Sequence, residues 1–238
     1  MSSVITQGIV LRRTDWREHD RILTLLTPRH GRIDVLSRGC RRPKSPLMPA
    51  SELFVNGEYT LFQNHEHYTL TGCSLEDTFY PLRMDPYRLT CASYMAALCA
   101  EGAQPGQEAV SLYALLLRSL YHLAYDQDKD ALGVTTCFLL QFADACGYRP
   151  RLKYCTHCGA LLNLEKGAVW DAGGGGLCCD GCAPAGAPRM SRDEIVWMSR
   201  TLRENEQNDT GTVRLFEELR RYVELRMEKS VRVSRLLP

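Results

Sequence analysis

The chain has 238 residues, 45% of them hydrophobic and 24% charged, with a formal net charge of +1. That balance excludes a wholly disordered, collagenous or coiled-coil chain and leaves room for one large domain or two to three small ones. The small net charge hides an asymmetry: the first 50 residues hold ten basic and four acidic side chains, a net +6, so the remainder carries −5. A basic N-terminal region on a balanced chain points to a polyanionic partner.

The first 80 residues read as β structure. Val4 to Leu11 is a strand with Ile5, Ile9 and Leu11 on one face. Arg21 to Thr27 and Arg32 to Ser37 follow, separated by a turn at Pro28 to Gly31. The stretch from Arg38 to Pro49 carries three prolines and four basic residues, and proline cannot donate to a ladder, so it reads as a loop. Leu53 to Gln63 and His67 to Leu75 complete five short strands, which suit a small closed or partly closed barrel, the OB-fold among the candidates.

Beyond Phe79 the apolar period becomes helical. Asp85-Pro86 supplies an N-cap and a proline at the first helical position. Cys91, Tyr94, Met95 and Leu98 then form one stripe. A second helix is predicted over Gln107 to Tyr125, burying Leu112, Leu115, Leu116, Leu120 and Leu123, and a third over about Asp130 to Cys146, ending at Gly147. Ser191-Arg-Asp-Glu194 has the form of a capping box opening a fourth helix. The last is predicted from about Thr212 to Lys229, with Phe216, Leu219, Val223 and Met227 inward. The expected fold class is therefore α+β: a barrel domain over 1–80 and a helical domain over 81–238, interrupted at 150–188 by a glycine-rich, cysteine-rich segment too irregular to pack a core of its own.

That segment holds Cys155-Thr-His-Cys158 and Cys179-Asp-Gly-Cys182. Two Cys-x2-Cys turns brought together place four sulfurs tetrahedrally about one Zn²⁺, and a closed four-thiolate shell implies a structural rather than catalytic ion. Cys178 adjoins Cys179 and leaves a Cys-x3-Cys alternative open; Cys179 is preferred because the two turns then match. Gly159 and Gly181 sit where tight backbone geometry is expected, and His157 reads as exposed. The four glycines 173–176 read as a hairpin tip, since no Gly-Lys-Ser/Thr follows them. The remaining cysteines lie in apolar contexts, as buried thiols do.

Arg38, Arg41, Arg42 and Lys44 lie on the proline-bearing loop, and no acid occurs from Cys40 to Ser51. Arg12, Arg13 and Arg32 come from strand ends and turns that a barrel could bring near it. Guanidinium groups match phosphate oxygens, and single-strand binders add aromatic stacking, for which Trp16, Phe54, Tyr59, Phe62 and Tyr68 are available; Phe54 and Phe62 are expected in the barrel core. No catalytic constellation, secretion signal or membrane-length apolar run appears, so the reading is a cytoplasmic non-enzyme. An RNA-binding zinc-ribbon factor, a metal-dependent nucleic-acid enzyme and an adaptor for acidic protein tails remain alternatives on charge alone.

Further residues narrow the choice. Gly8-Ile-Val-Leu11, Glu18-His-Asp-Arg21-Ile-Leu-Thr-Leu-Leu-Thr27, Gly31-Arg32, the block Arg38-Gly-Cys-Arg-Arg-Pro-Lys-Ser45 and the late pair of Cys-x2-Cys knuckles together resemble the bacterial DNA repair protein RecO (recombination protein O) family. The resemblance implies an N-terminal OB-fold, a helical domain and an embedded zinc segment. It implies binding of single- and double-stranded DNA, annealing of complementary strands, and action with RecR to help RecA replace single-strand-binding protein, in the cytoplasm at the nucleoid. Arg38, Arg41, Arg42 and Lys44 match the family's basic block. Position 40 is cysteine where many members have alanine.

Overall fold

The computed structural model describes residues 2–204 and 212–231. Five strands come first: β1 (Ser2–Trp16), β2 (Asp20–Thr27), β3 (Gly31–Ser37), β4 (Asn56–Asn64) and β5 (His67–Asp77). They close into a barrel in the order β1-β2-β3-β5-β4, with β4 returning to pair antiparallel with β1. Only β3 and β5 run parallel, at Val35↔Tyr68 and Leu36↔Thr69. This is the five-stranded Greek-key arrangement of an OB-fold.

Strand residues alternate sides, so each strand offers one face to the barrel interior. Val10, Leu23, Leu25, Ile33, Val35, Tyr59, Leu61 and Leu70 fill it. The interior face of β1 is therefore the one carrying Val10, not the predicted Ile5–Ile9–Leu11 face. Ile9 and Leu11 are still buried, while Ile5 is 63% exposed. A bulge between Val10 and Arg12 shifts the β1–β2 register and lets consecutive residues be buried.

The outer apolar side of β1 and β2 explains the next two helices. Helix α1 (Pro86–Gly102) packs on β1 and β2, and α2 (Val110–Tyr125) on α1 and β2. Asp85 caps α1 by accepting from the backbone N–H of Tyr87 and Arg88, at 2.9 and 3.0 Å. The predicted stripes on both helices are buried throughout. Helix α2 starts at Val110 rather than Gln107 because the preceding chain is committed to the barrel: Gly106 N–H donates to the His30 carbonyl (3.0 Å) and Ala109 N–H to that of Pro28 (2.8 Å). The compact units are accordingly Met1–Gln127 and Asp128–Pro238, so the first extends beyond the 80/81 boundary expected from the change in period.

Gly31 opens β3 at φ +62°, and a Cβ there would stand 2.1 Å from the carbonyl oxygen of Gln104. Left-handed strain and a backbone clash then act together, so Gly31→Ala is expected to cost about 3 kcal/mol. Urea unfolding checks this through a lowered midpoint at unchanged slope.

In the second unit α4 (Arg192–Glu204) and α5 (Val213–Met227) pack on α3 (Ala131–Ala145), which is buried from Ala131 to Ala143. The predicted capping box forms: Glu194 N–H donates to Ser191 Oγ (3.2 Å) and Ser191 N–H to Glu194 Oε2 (2.7 Å). Phe216, Leu219 and Val223 of α5 are inward, whereas Met227 is only half-buried in the last turn. The cysteine segment carries a small sheet that its composition concealed, β7-β6-β8, from β6 (Ala168–Asp171), β7 (Gly176–Cys178) and β8 (Arg189–Met190). Gly173–Gly175 form the β6–β7 tip, and Arg226 of α5 donates to the Ala172 and Gly173 carbonyls at 3.1 and 2.8 Å. Among the described residues no helix is long and apolar enough to cross a membrane.

Candidate nucleic-acid interface and metal centre

The connection from β3 to β4 carries the basic block, and its base is fixed from several sides. Ser37 and Ser51 share a 2.9 Å hydroxyl hydrogen bond, and the Tyr59 hydroxyl reaches the Ala50 and Val55 carbonyls from inside the barrel. Cys40 is fully buried beneath the loop. Gly39 N–H donates to Asp20 Oδ1 (2.8 Å) and Arg41 N–H to the His19 carbonyl (3.0 Å), which tie the loop to the β1–β2 turn. Successive turns from Gly39 to Ser51 follow, so the cations stand on a shaped loop rather than a loose one.

The seven predicted cations divide by what they touch. Arg12 pairs with Glu101 (3.5 Å), Arg13 with Glu52, and Arg41 with Asp15 (3.4 Å). Arg32 donates to the Ala100 carbonyl near the end of α1, a structural role. Arg38, Arg42 and Lys44 are exposed and, among the described residues, have no ion-pair partner. Arg21 anchors the paired group: it bonds Asp15 (3.0 Å) and Glu52 (2.9 Å), and its hydrogen bond holds the Asp15 carboxyl below the ordinary carboxylate range.

The second unit brings Cys155, Cys158, Cys179 and Cys182 together, with all four sulfurs within 4.8 Å of one another. Four sulfurs at about 2.3 Å from a tetrahedral ion stand about 3.8 Å apart. The Cys158–Cys179 separation is 3.8 Å, so the donors fit such an ion. Cys178 is fully buried in β7, outside this set, and burial pushes its thiol up to about 11. Backbone hydrogen bonds from Cys158 and Cys179 lower the Cys155 thiol to about 6, while the neighbouring sulfurs, Cys179 first, raise Cys182 to about 12. Crowded thiols that compete for one negative charge are what a bound cation relieves.

The first knuckle closes through Gly159 at φ +74°, whose N–H donates to the Cys155 carbonyl at 3.0 Å. Gly181 differs from expectation: its φ is not positive and a Cβ there would meet nothing within 4 Å. His157 is 45% exposed, and its Nε2 lies 2.7 Å from Asp171 Oδ2. That carboxylate also accepts from Gly174 N–H (2.9 Å), so one side chain joins the first knuckle to the hairpin tip.

Two family models match in succession, Recombination protein O N terminal over residues 1–79 and Recombination protein O C terminal over residues 83–235. The chain belongs to the recombination protein O family. The protein named DNA repair protein RecO in Acetivibrio thermocellus is 34% identical over 162 residues, covering 68% of this chain and 64% of its own length. Proteins of the same name in Symbiobacterium thermophilum and Anaeromyxobacter sp. (strain K) are 32% and 35% identical, covering 82% and 79% of this chain and 78% and 74% of their own.

Other features of this recombination protein O chain were not legible beforehand. The Arg21–Asp15–Glu52 cluster that supports the loop has no spacing signature, because its members come from β2, β1 and the β3–β4 connection. Among the aromatic candidates, Phe54 and Tyr59 are buried and Tyr68 packs against the core. Phe62, expected inside, is 41% exposed, because its partner in the register is Ser3, on the side of β1 that carries Ile5. Trp16 is 47% exposed beside the β1–β2 turn.

Proposed function

We propose that this protein is a DNA-binding recombination mediator in DNA repair. It holds single- and double-stranded DNA on the barrel, anneals complementary strands, and with RecR assists RecA onto DNA covered by single-strand-binding protein. The observation that carries this reading is the set of cations Arg38, Arg42 and Lys44, without an ion-pair partner among the described residues, on the shaped β3–β4 loop of a recombination protein O barrel. Arg41 joins them when phosphate replaces Asp15, and Arg12, Arg13 and Arg32 act behind them as supports. The work is performed in the cytoplasm, at the nucleoid.

The physical steps need no bond to be made or broken by the protein. Guanidinium groups bind phosphate oxygens without reading sequence. Neutralising phosphates on two strands lowers their mutual repulsion and favours pairing. The ion held by Cys155, Cys158, Cys179 and Cys182 is Zn²⁺. It closes the cysteine segment and leaves no open position for chemistry.

Anisotropy of a labelled single strand tests the reading through its salt dependence. Four phosphate contacts at about 0.7 each predict a log–log slope of about −3. Binding that ignores salt, or no binding to DNA, would refute it.

A further inference from the structure

The β1–β2 turn adds an element that charge alone does not supply. Trp16 closes the β1–β2 ladder opposite Asp20. The last β2–β3 pair is Arg21↔Ser37 and Arg38 follows in the turn, so Trp16, Asp20 and Arg38 stand at the same end of three neighbouring strands. Adjacent strands lie about 4.8 Å apart, so strand ends two places apart are within reach of one nucleotide with its phosphates. The Asp20 carboxylate is occupied by Gly39 N–H. Arg17, next to Trp16, is exposed at φ +53°, and its carbonyl accepts from Arg41 at 3.5 Å.

Trp16 is 47% exposed, and among the described residues its ring makes no ring–ring or cation–π contact. Single exposed apolar residues are ordinary on protein surfaces and need no explanation. This one differs in its setting. It is the largest side-chain type, it sits beside a charged turn, and the exposed cations Arg17 and Arg38 stand near it. OB-folds take oligonucleotides on the strand 2–3 face and the loop joining strands 1 and 2, and bases stack on aromatic side chains there.

We infer that Trp16 is a stacking platform for an unpaired base, set beside phosphate sites at Arg17, Arg38 and Arg42, so that this surface prefers single-stranded DNA to duplex. The inference rests on the proposed DNA interface and adds strand selectivity to it. A duplex keeps its bases stacked on each other and offers only phosphates. A single strand offers phosphates and a free base face, and the ring collects the difference.

The chain's composition makes the test direct. It has three tryptophans, and Trp170 and Trp197 are only 1% and 7% exposed. Oligothymidylate should therefore quench intrinsic emission saturably, through Trp16. Trp16→Ala should abolish the quench and weaken oligothymidylate binding about tenfold, with duplex affinity changed less than twofold and Trp16→Phe retaining most of the single-strand affinity. Equal losses on single strand and duplex, or unchanged single-strand affinity, would overturn the inference. Arg38→Ala/Arg42→Ala/Lys44→Ala, measured in parallel, separates the two levels. If that variant alone loses DNA, the interface stands and the stacking role falls. If neither variant changes binding, the interface itself is misplaced and the inference falls with it.

Discussion

Replacing Cys158 and Cys182 together by serine should leave a protein that binds no zinc and whose second unit unfolds well before the first. Trp170 against Tyr222 and the Arg226 hydrogen bonds tie the small sheet to α5, but the knuckles themselves have little apolar packing. The buried cluster around the sulfurs consists of Cys155, Val169 and Cys178, two of them cysteines, and the segment's strands are four, three and two residues long. Metal sites of this type contribute folding free energy outright, about 10–16 kcal/mol in isolated finger peptides. Here α3 and α5 retain a core of their own, so a loss of about 5 kcal/mol from the second unit is the expected scale. Metal content by emission spectroscopy and hydrogen exchange across residues 151–190 read the two parts separately. Stoichiometric zinc with unchanged exchange in the double variant would remove the site. The Cys178→Ser control should keep its metal, because that sulfur lies outside the cluster.

Arg38→Ala/Arg42→Ala/Lys44→Ala should weaken single-strand binding on the order of 100-fold at about 50 mM salt and reduce the salt slope by about 2, from three lost contacts at about 0.7 each. The same counterion argument makes the deficit vanish near about 0.5 M, one decade of salt higher, where a slope difference of about 2 cancels it. The loss should be even across sequences, since phosphate contacts position a strand and do not read it. Arg32→Ala should behave differently. Its guanidinium bonds the Ala100 carbonyl, so stability falls and the salt slope holds. Equal slopes for the triple variant and the unaltered protein would place the DNA surface elsewhere.

Much of this architecture could be read from the chain because the relevant signals are local. Alternation in β2 and β3, the Asp85-Pro86 cap and the Ser191–Glu194 box each act within a few residues, and each formed as expected. The two Cys-x2-Cys turns are likewise local, so their meeting was foreseeable from spacing. Errors arose where a distant element decides the outcome. Ile5, Ile9 and Leu11 do share a pattern, but α1 packing on β1, not the barrel interior, makes the side opposite the interior apolar. The start of α2 is set by hydrogen bonds to Pro28 and His30, some 80 residues upstream in the chain, and no local signal reports them. The sheet β7-β6-β8 was missed because its strands are shorter than any window in which a period of two can be counted.

The basic block was legible as charge, yet charge does not say which cations are free. Arg13 and Arg42 look alike in sequence. Glu52, at the far end of the loop, occupies the first and leaves the second to solvent.

Mediation of strand pairing is read out by annealing. Two complementary oligonucleotides, each precoated with single-strand-binding protein, are mixed with and without this protein in the absence of ATP. Annealing should be faster with the protein present, and the gain should be lost in Arg38→Ala/Arg42→Ala/Lys44→Ala; an unchanged rate with DNA binding intact would rule out a mediator.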